Sequence, residues 1–159
     1  MVWLDVLRWL HVLGAMVLLG TGAGIAFFML MAHRTRNPVL VAHVAQTVVI
    51  ADAVFTTSAV IVQPLTGLGL AHMLGWRLTE GWLVLSIGLY VLTGLFWLPV
   101  VWIQLKLRDL AATAARDNQA LPGTYDRLFR IWFLCGIPAF LAVLAIVWLM
   151  LMKPKIKLF

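Results

Sequence analysis

The sequence of residues 12–32 is VLGAMVLLGTGAGIAFFMLMA, and it contains no charged side chain. A bilayer core about 30 Å thick is crossed by roughly 20 apolar residues in an α-helix, which rises about 1.5 Å per residue. This stretch is long enough to cross a membrane. It is also too long and too uniformly apolar for a core helix of a water-soluble domain.

Comparable apolar runs recur along the chain, separated by the polar links HRTRNP and RDLAATAARDNQALPG and by a third link between them. The predicted membrane spans cover residues 3–32, 39–70, 79–107 and 125–152, each to within a few residues. Short links favour antiparallel neighbours, so we expect an all-α membrane protein, a four-transmembrane-helix up-down-up-down bundle forming one domain over 1–159. Pro64 inside the second span favours a tilt or a bend there.

Composition agrees with a membrane protein. Of the 159 residues, 64% are hydrophobic and 11% are charged, whereas a soluble domain is about half apolar and a quarter charged. The net charge of +6 comes from basic residues that lie mostly in the links and at the chain ends. Lipid headgroups explain that placement better than nucleic acid does, because no soluble domain is present to carry a basic face. The predicted partner is therefore the lipid bilayer, with no nucleic acid.

The distribution of basic residues also predicts an orientation. The first and third links, with the start of the fourth span, hold more arginine and lysine than the opposite side, so the positive-inside rule favours both termini outside. We expect a multi-pass protein of the bacterial inner (cytoplasmic) membrane. Since the first apolar run has the length of a full span, we expect no cleavable signal peptide.

Two spans carry polar side chains at helical spacing. The second span has Asp52, Thr56, Ala59 and Gln63, and the third has Ser86, Tyr90, Thr93 and Trp97, both at offsets of 4, 7 and 11. Each set falls on one helical face, which indicates two helices facing a shared interior. The alternatives are interhelical hydrogen bonds that only pack the bundle, or a site with chemistry.

Asp52 lies about halfway along its span, where an ionised carboxylate costs roughly 3 kcal/mol on insertion scales. No basic residue lies at matching depth in the other spans. We therefore expect a protonated Asp52 that is hydrogen-bonded to Tyr90 or Thr93. Asp52 and Tyr90 are the candidate catalytic residues for proton transfer, and a purely structural hydrogen bond is the alternative.

His11 is the histidine that lies inside apolar sequence, about two turns into the first span. A neutral imidazole is the commonest metal ligand and a usual haem ligand from bundle helices, so His11 is the candidate metal ligand. His72, Arg8 and Arg77 belong to the same side of the membrane, as a possible second ligand and possible propionate partners. These four residues form the predicted cofactor-binding set, with haem b as the cofactor.

Each of these features has a structural alternative. A lone histidine in a helix can simply hydrogen-bond to a neighbouring backbone. The glycines of the first span can serve helix packing through Gly20-x-x-x-Gly24 rather than leave room for a macrocycle.

Several segments resemble a known family. They are WLHVLG in the first span, TTSAVIVQPLTGLGLA in the second, GWLVLSIGLYVL in the third and YDRLFRIWFLCGIPAFLAVLAIVWLM in the fourth. The chain resembles a family of bacterial four-helix integral membrane proteins of unknown function, which is distantly similar to HemJ-type protoporphyrinogen oxidases. The resemblance implies a haem-binding or porphyrin-handling bundle with a histidine in the first helix, and His11 is the position that matches.

Three functional hypotheses follow. The first is a haem b protein in membrane redox or porphyrin chemistry, an oxidoreductase if it is an enzyme, acting with a quinone, a porphyrinogen or a membrane redox partner. The second is a non-enzymatic bundle that binds another membrane protein or forms a homo-oligomer through the Gly20–Gly24 face. The third is a small transporter subunit with Asp52, Gln63 and Tyr90 lining a path.

Overall fold

A computed structural model describes residues 2–156, and within them all regular structure is helical. The helices, in chain order, are α1 Val2–Thr35, α2 Pro38–Ala51, a π-helical turn Asp52–Thr56, α3 Thr57–Met73, α4 Gly81–Arg116 and α5 Gly123–Met152. The segment α2–π-turn–α3 is one continuous rod, so the helices form four candidate membrane spans. The protein is thus an all-helical, multi-pass integral membrane protein.

Most helix ends lie beyond the predicted span limits, although α4 begins at Gly81, two residues after its predicted start. The largest difference is at α4, which continues to Arg116, although residues 108–123 were predicted to be a polar link. Alanine-rich sequence such as AATAA has the highest helix propensity, so polarity alone does not end the helix. It ends where Asn118 adopts a left-handed conformation with φ 52°.

The link between α1 and α2 is two residues long. Arg36 takes a left-handed φ of 54°, and the Asn37 side chain accepts hydrogen bonds from the backbone N–H groups of Val39 and Leu40. Pro38 occupies the first turn of α2, where its missing N–H costs nothing. These residues turn the chain within two positions and start the second rod.

The second rod contains a π-turn at Asp52–Thr56, and Pro64 lies inside α3. Thr57 closes the π-turn, because its N–H and its hydroxyl both donate to the Asp52 carbonyl. Packing changes at this point: α2 packs chiefly against α4, and α3 packs chiefly against α1. A π-turn changes the phase of a helix, and here it accompanies the change of partner.

The two ends of the bundle have different cores. The loop side, where the α1–α2 and α4–α5 links lie, has a large buried cluster. Its members are Ile25, Met29, Ala32, Val41, Ala45, Val48, Ile103, Leu107, Ala111, Tyr125, Phe129 and Trp132. The terminal side, where the α3–α4 link and the chain ends lie, has a buried cluster of Ala71, Trp82, Leu83 and Leu149.

A C-terminal segment helps to close the terminal side. Lys153 ends α5 in a left-handed conformation, and its Nζ lies 4.1 Å from the ring centre of Trp76. The backbone at Ile156 then passes so close to Gly81 that a Cβ there would clash with the Ile156 carbonyl. Lys157, the last lysine of the tail, lies outside the described residues.

Candidate functional site

His11 faces α3 from α1, and its imidazole is held by a side chain. The Nδ1 atom of His11 lies 2.9 Å from Oγ1 of Thr66. The Thr66 hydroxyl has a single hydrogen, and its nearest backbone acceptor is the Val62 carbonyl at 2.8 Å. When that hydrogen goes to Val62, Thr66 can only accept from His11. In that arrangement neutral His11 carries its proton on Nδ1 and has a lone pair on Nε2, whereas a Thr66 hydroxyl that donates to Nδ1 would place the proton on Nε2.

The contact between α1 and α3 is close because glycines line it. A Cβ on Gly67 would lie 3.1 Å from Cε1 of His11, and a Cβ on Gly14 would lie 2.8 Å from Nε2 of Gln63. Gln63 uses this space to donate to the His11 carbonyl at 2.8 Å. Both the ring and the backbone of His11 are thus fixed by α3.

The other predicted cofactor residues do not lie beside the His11 ring. At about 100° per residue, His72 is roughly half a turn around α3 from Gln63, whose side chain meets α1. His72 is exposed, and Arg77 is exposed in the α3–α4 link. Arg8 lies on α1, one turn from His11, and is paired only loosely with Asp5 at 3.7 Å. The structure therefore groups Arg8 with His11 on one helix and leaves His72 and Arg77 at the surface.

Asp52 begins the π-turn and is 7% exposed. Nε1 of Trp97, on α4, donates to its carboxyl oxygen across 3.4 Å. The Thr56 hydroxyl, four residues further along, is also buried and makes no hydrogen bond within residues 2–156. The Asp52 carboxyl and the Trp97 indole N–H thus meet in the interior of the membrane span, and Thr56 lies about one helical turn further along the same rod.

The expected partners of Asp52 were wrong. Tyr90 donates instead to the Val60 carbonyl, and Thr93 donates to the Leu89 carbonyl of its own helix at 2.8 Å. A tyrosine reaches far from its backbone, so it contacts α3 at a different level from the one that helical spacing suggested. Trp97 belongs to the same polar stripe as Tyr90 and supplies the donor.

The two candidate centres are far apart. His11 packs at the level of Thr66, fourteen residues after Asp52 on the same rod, which corresponds to about 20 Å at 1.5 Å per residue. Proton transfer between them would need intervening groups. His11 and Asp52 are therefore separate sites.

The chemistry open to each site is limited. Within the described part of the chain, no three His, Cys, Asp or Glu residues lie close enough to hold a metal ion together. A metal held by several protein ligands is thus not built from those residues. His11 can supply one neutral nitrogen ligand, and Asp52 can supply one carboxyl.

The sequence did not single out Thr66, which hydrogen-bonds to the His11 ring, or Gly67, whose lack of a side chain lets the ring pack against α3. A signal was available, since Thr66 and Gly67 follow Gln63 at offsets of 3 and 4 and so share its helical face. Pairing of that face with α1, rather than with α4, is a property of the tertiary structure.

At the loop side an ion pair ties two elements together. Arg36 donates two hydrogen bonds to the Asp126 carboxylate at the start of α5. Hydrogen bonding to Asp126 raises the pKa of the Arg36 guanidinium above its usual value. The pair joins the α1–α2 link to α5 and has no contact with either candidate site.

The family of the chain follows from its similarity to known proteins. Searches among curated proteins and among solved structures found no match. A family model described as "Predicted integral membrane protein (DUF2269)" matches residues 5–154, which is nearly the whole chain. The chain therefore belongs to the DUF2269 family of integral membrane proteins.

Proposed function

We propose that this protein binds a b-type haem through Nε2 of His11 and acts in membrane redox or porphyrin chemistry. The single observation that carries the proposal is the hydrogen bond between Nδ1 of His11 and Thr66. Histidines that bind metal through one ring nitrogen almost always donate from the other, which fixes the tautomer and the ring orientation. His11 has this arrangement when the Thr66 hydroxyl donates to the Val62 carbonyl.

Two contacts with α3 hold His11 in place, so that it would offer one ring nitrogen to a haem iron. Gly67 leaves the ring room against α3, and Gln63 holds the backbone at the same level. The resemblance of WLHVLG to HemJ-type proteins supports the same position for a histidine ligand. When bound, a haem supplies one-electron redox chemistry at iron, while the protein orients the imidazole and sets the polarity around it.

Arg8 is the protein group best placed to meet a propionate. It lies one helical turn before His11, and its contact with Asp5 at 3.7 Å joins two exposed side chains. Such exposed pairs stabilise a protein little, so Arg8 can exchange Asp5 for another anion. His72 and Arg77, being exposed and away from the His11 ring, are not assigned to this site.

The experiment is a visible absorption spectrum of the detergent-purified protein, first oxidised and then reduced with dithionite, after haem is supplied during expression. We expect a Soret band and sharp reduced bands in the wild type and in His72→Ala, and their loss in His11→Ala. His72→Ala is the matched control, because it removes an imidazole from the same side of the membrane.

Thr66→Val sharpens the test. Losing the Nδ1–H partner should lower haem affinity by about 10- to 100-fold, as second-shell changes typically do, while leaving the protein folded. A colourless wild type under these conditions would overturn the proposal. The His11–Thr66 contact would then be a packing contact between α1 and α3.

A further inference from the structure

Asp52 has no other residue of a charged type near it in the apolar parts of the four spans. Over residues 12–32, 38–71, 81–105 and 131–152 it is the one Asp, Glu, Lys or Arg in the sequence. It is 7% exposed, and the salt bridges of the described chain do not include it. No cation from α1, α4, α5 or its own rod is therefore available to balance an ionised Asp52 at that depth.

The groups around Asp52 suit a carboxyl that gains and loses a proton. The indole N–H of Trp97 donates to one carboxyl oxygen at 3.4 Å. Thr56, 8% exposed and without a partner in residues 2–156, offers a hydroxyl that can accept from a neutral acid or donate to a carboxylate. A buried hydroxyl is seldom left without a partner, and the Asp52 carboxyl, four residues earlier on the same rod, can supply one.

A groove connects the loop side to the level of Asp52. It lies between α1 and α2, has a volume of about 690 Å³, and begins near Thr35 and His43. Its deep end is lined by Ala51 and Phe55, which flank Asp52 along the rod, and Thr47 lies between the two ends. Its lining is mostly apolar, with Thr21, Thr35, His43 and Thr47 as the polar side chains, and it reaches the level of Asp52 without including Asp52 itself.

We propose that Asp52, Thr56 and Trp97 form a proton-binding site in the middle of the membrane, which exchanges its proton with the loop side through the α1–α2 groove. When the proton leaves, the O–H bond of the acid breaks and the proton passes to water. The resulting carboxylate accepts hydrogen bonds from the Trp97 indole and the Thr56 hydroxyl. The site lies about 20 Å from His11 and does not depend on the haem proposal.

Infrared spectroscopy tests the site directly. A protonated carboxyl gives a C=O band separate from the amide bands, and we expect one that disappears in Asp52→Asn. It should shift in D2O, because its proton exchanges. Trp97→Phe keeps the carboxyl and should move the band to higher frequency, since the carbonyl loses its donor. A band that is absent, or that does not shift in D2O, would overturn the site.

Chemical labelling tests whether Asp52 binds a proton rather than a metal cation. Dicyclohexylcarbodiimide is apolar and adds to protonated carboxyls, so we expect an adduct on Asp52, found by peptide mass spectrometry, that declines as pH rises. The exposed carboxylates Glu80 and Asp109 serve as internal controls and should remain unlabelled. Protection by sodium or lithium at constant pH would mean that the site binds a metal cation, which would overturn the proton assignment.

A pair of substitutions tests the route. Gly24→Leu fills the groove, whereas Gly94→Leu adds the same side chain to α4, outside the groove lining and where nothing lies within 4 Å of the new Cβ. We expect several-fold slower deuterium exchange of the Asp52 band in Gly24→Leu only. Equal exchange rates in the two variants would overturn the route. All measurements are made in His11→Ala as well, where an unchanged result separates this proposal from the haem proposal.

Discussion

The loop side and the terminal side of this bundle differ in how their cores are packed. The loop side buries twelve residues from all four spans, with Tyr125 and Leu107 fully enclosed, whereas the buried cluster of the terminal side has four. At the loop side a buried hydrogen bond also joins Trp132 to Gln104 at 3.1 Å. The terminal side instead has glycine-lined contacts, His11 and a short C-terminal segment. The terminal side thus buries fewer residues in one cluster than the loop side does.

The largest loss of stability is expected for a substitution at the centre of the loop-side core. Leu107→Ala should destabilise the protein by about 2–4 kcal/mol, because the side chain is 0% exposed and its neighbours cannot collapse into the space. Leu83→Ala, in the terminal-side cluster at 6% exposure, should cost less. Thermal unfolding in one detergent, followed by the loss of soluble protein, compares the two. An equal loss would show that the two cores contribute alike.

A smaller effect is expected at the glycine contact of the terminal side. A Cβ at Gly14 would meet Nε2 of Gln63 at 2.8 Å, so Gly14→Ala should displace Gln63 from the His11 carbonyl and cost about 1 kcal/mol, the value of one hydrogen bond. Gly20→Ala is the matched control on the same helix, since nothing lies within 4 Å of the added Cβ. Unfolding temperatures that fall equally in both variants would rule out the Gln63 contact as the cause.

The smallest effect is expected at the loop-side surface. Asp126→Asn removes the carboxylate that pairs with Arg36, but Arg36 is solvent-exposed, so the change in unfolding temperature should be close to the error of the measurement. The same variant measured at low and high salt checks the reason. A large loss of stability that disappears at high salt would show that this ion pair matters more than its exposure implies.

Some residues of the candidate sites could be predicted from the sequence and others could not. His11 and Asp52 could be selected from sequence, because polar residues within apolar runs are rare and stand out by hydropathy alone. Their partners could not. Thr66 and Trp97 are each one of several polar residues at helical spacing, and choosing among them requires knowing which helix lies opposite and at what level.

The sequence by itself determined that the chain crosses a membrane in four helices, because the thickness of the bilayer sets the length of an apolar run. It also determined which residues are costly to bury. Only the tertiary structure decided that α4 continues to Arg116, that a π-turn starts at Asp52, and that His11 and Asp52 are separate sites. The hydropathy of a segment predicts whether that segment spans the membrane. Which helix it packs against, and which residues of the two helices lie at the same depth, depend on contacts between helices that are distant in sequence.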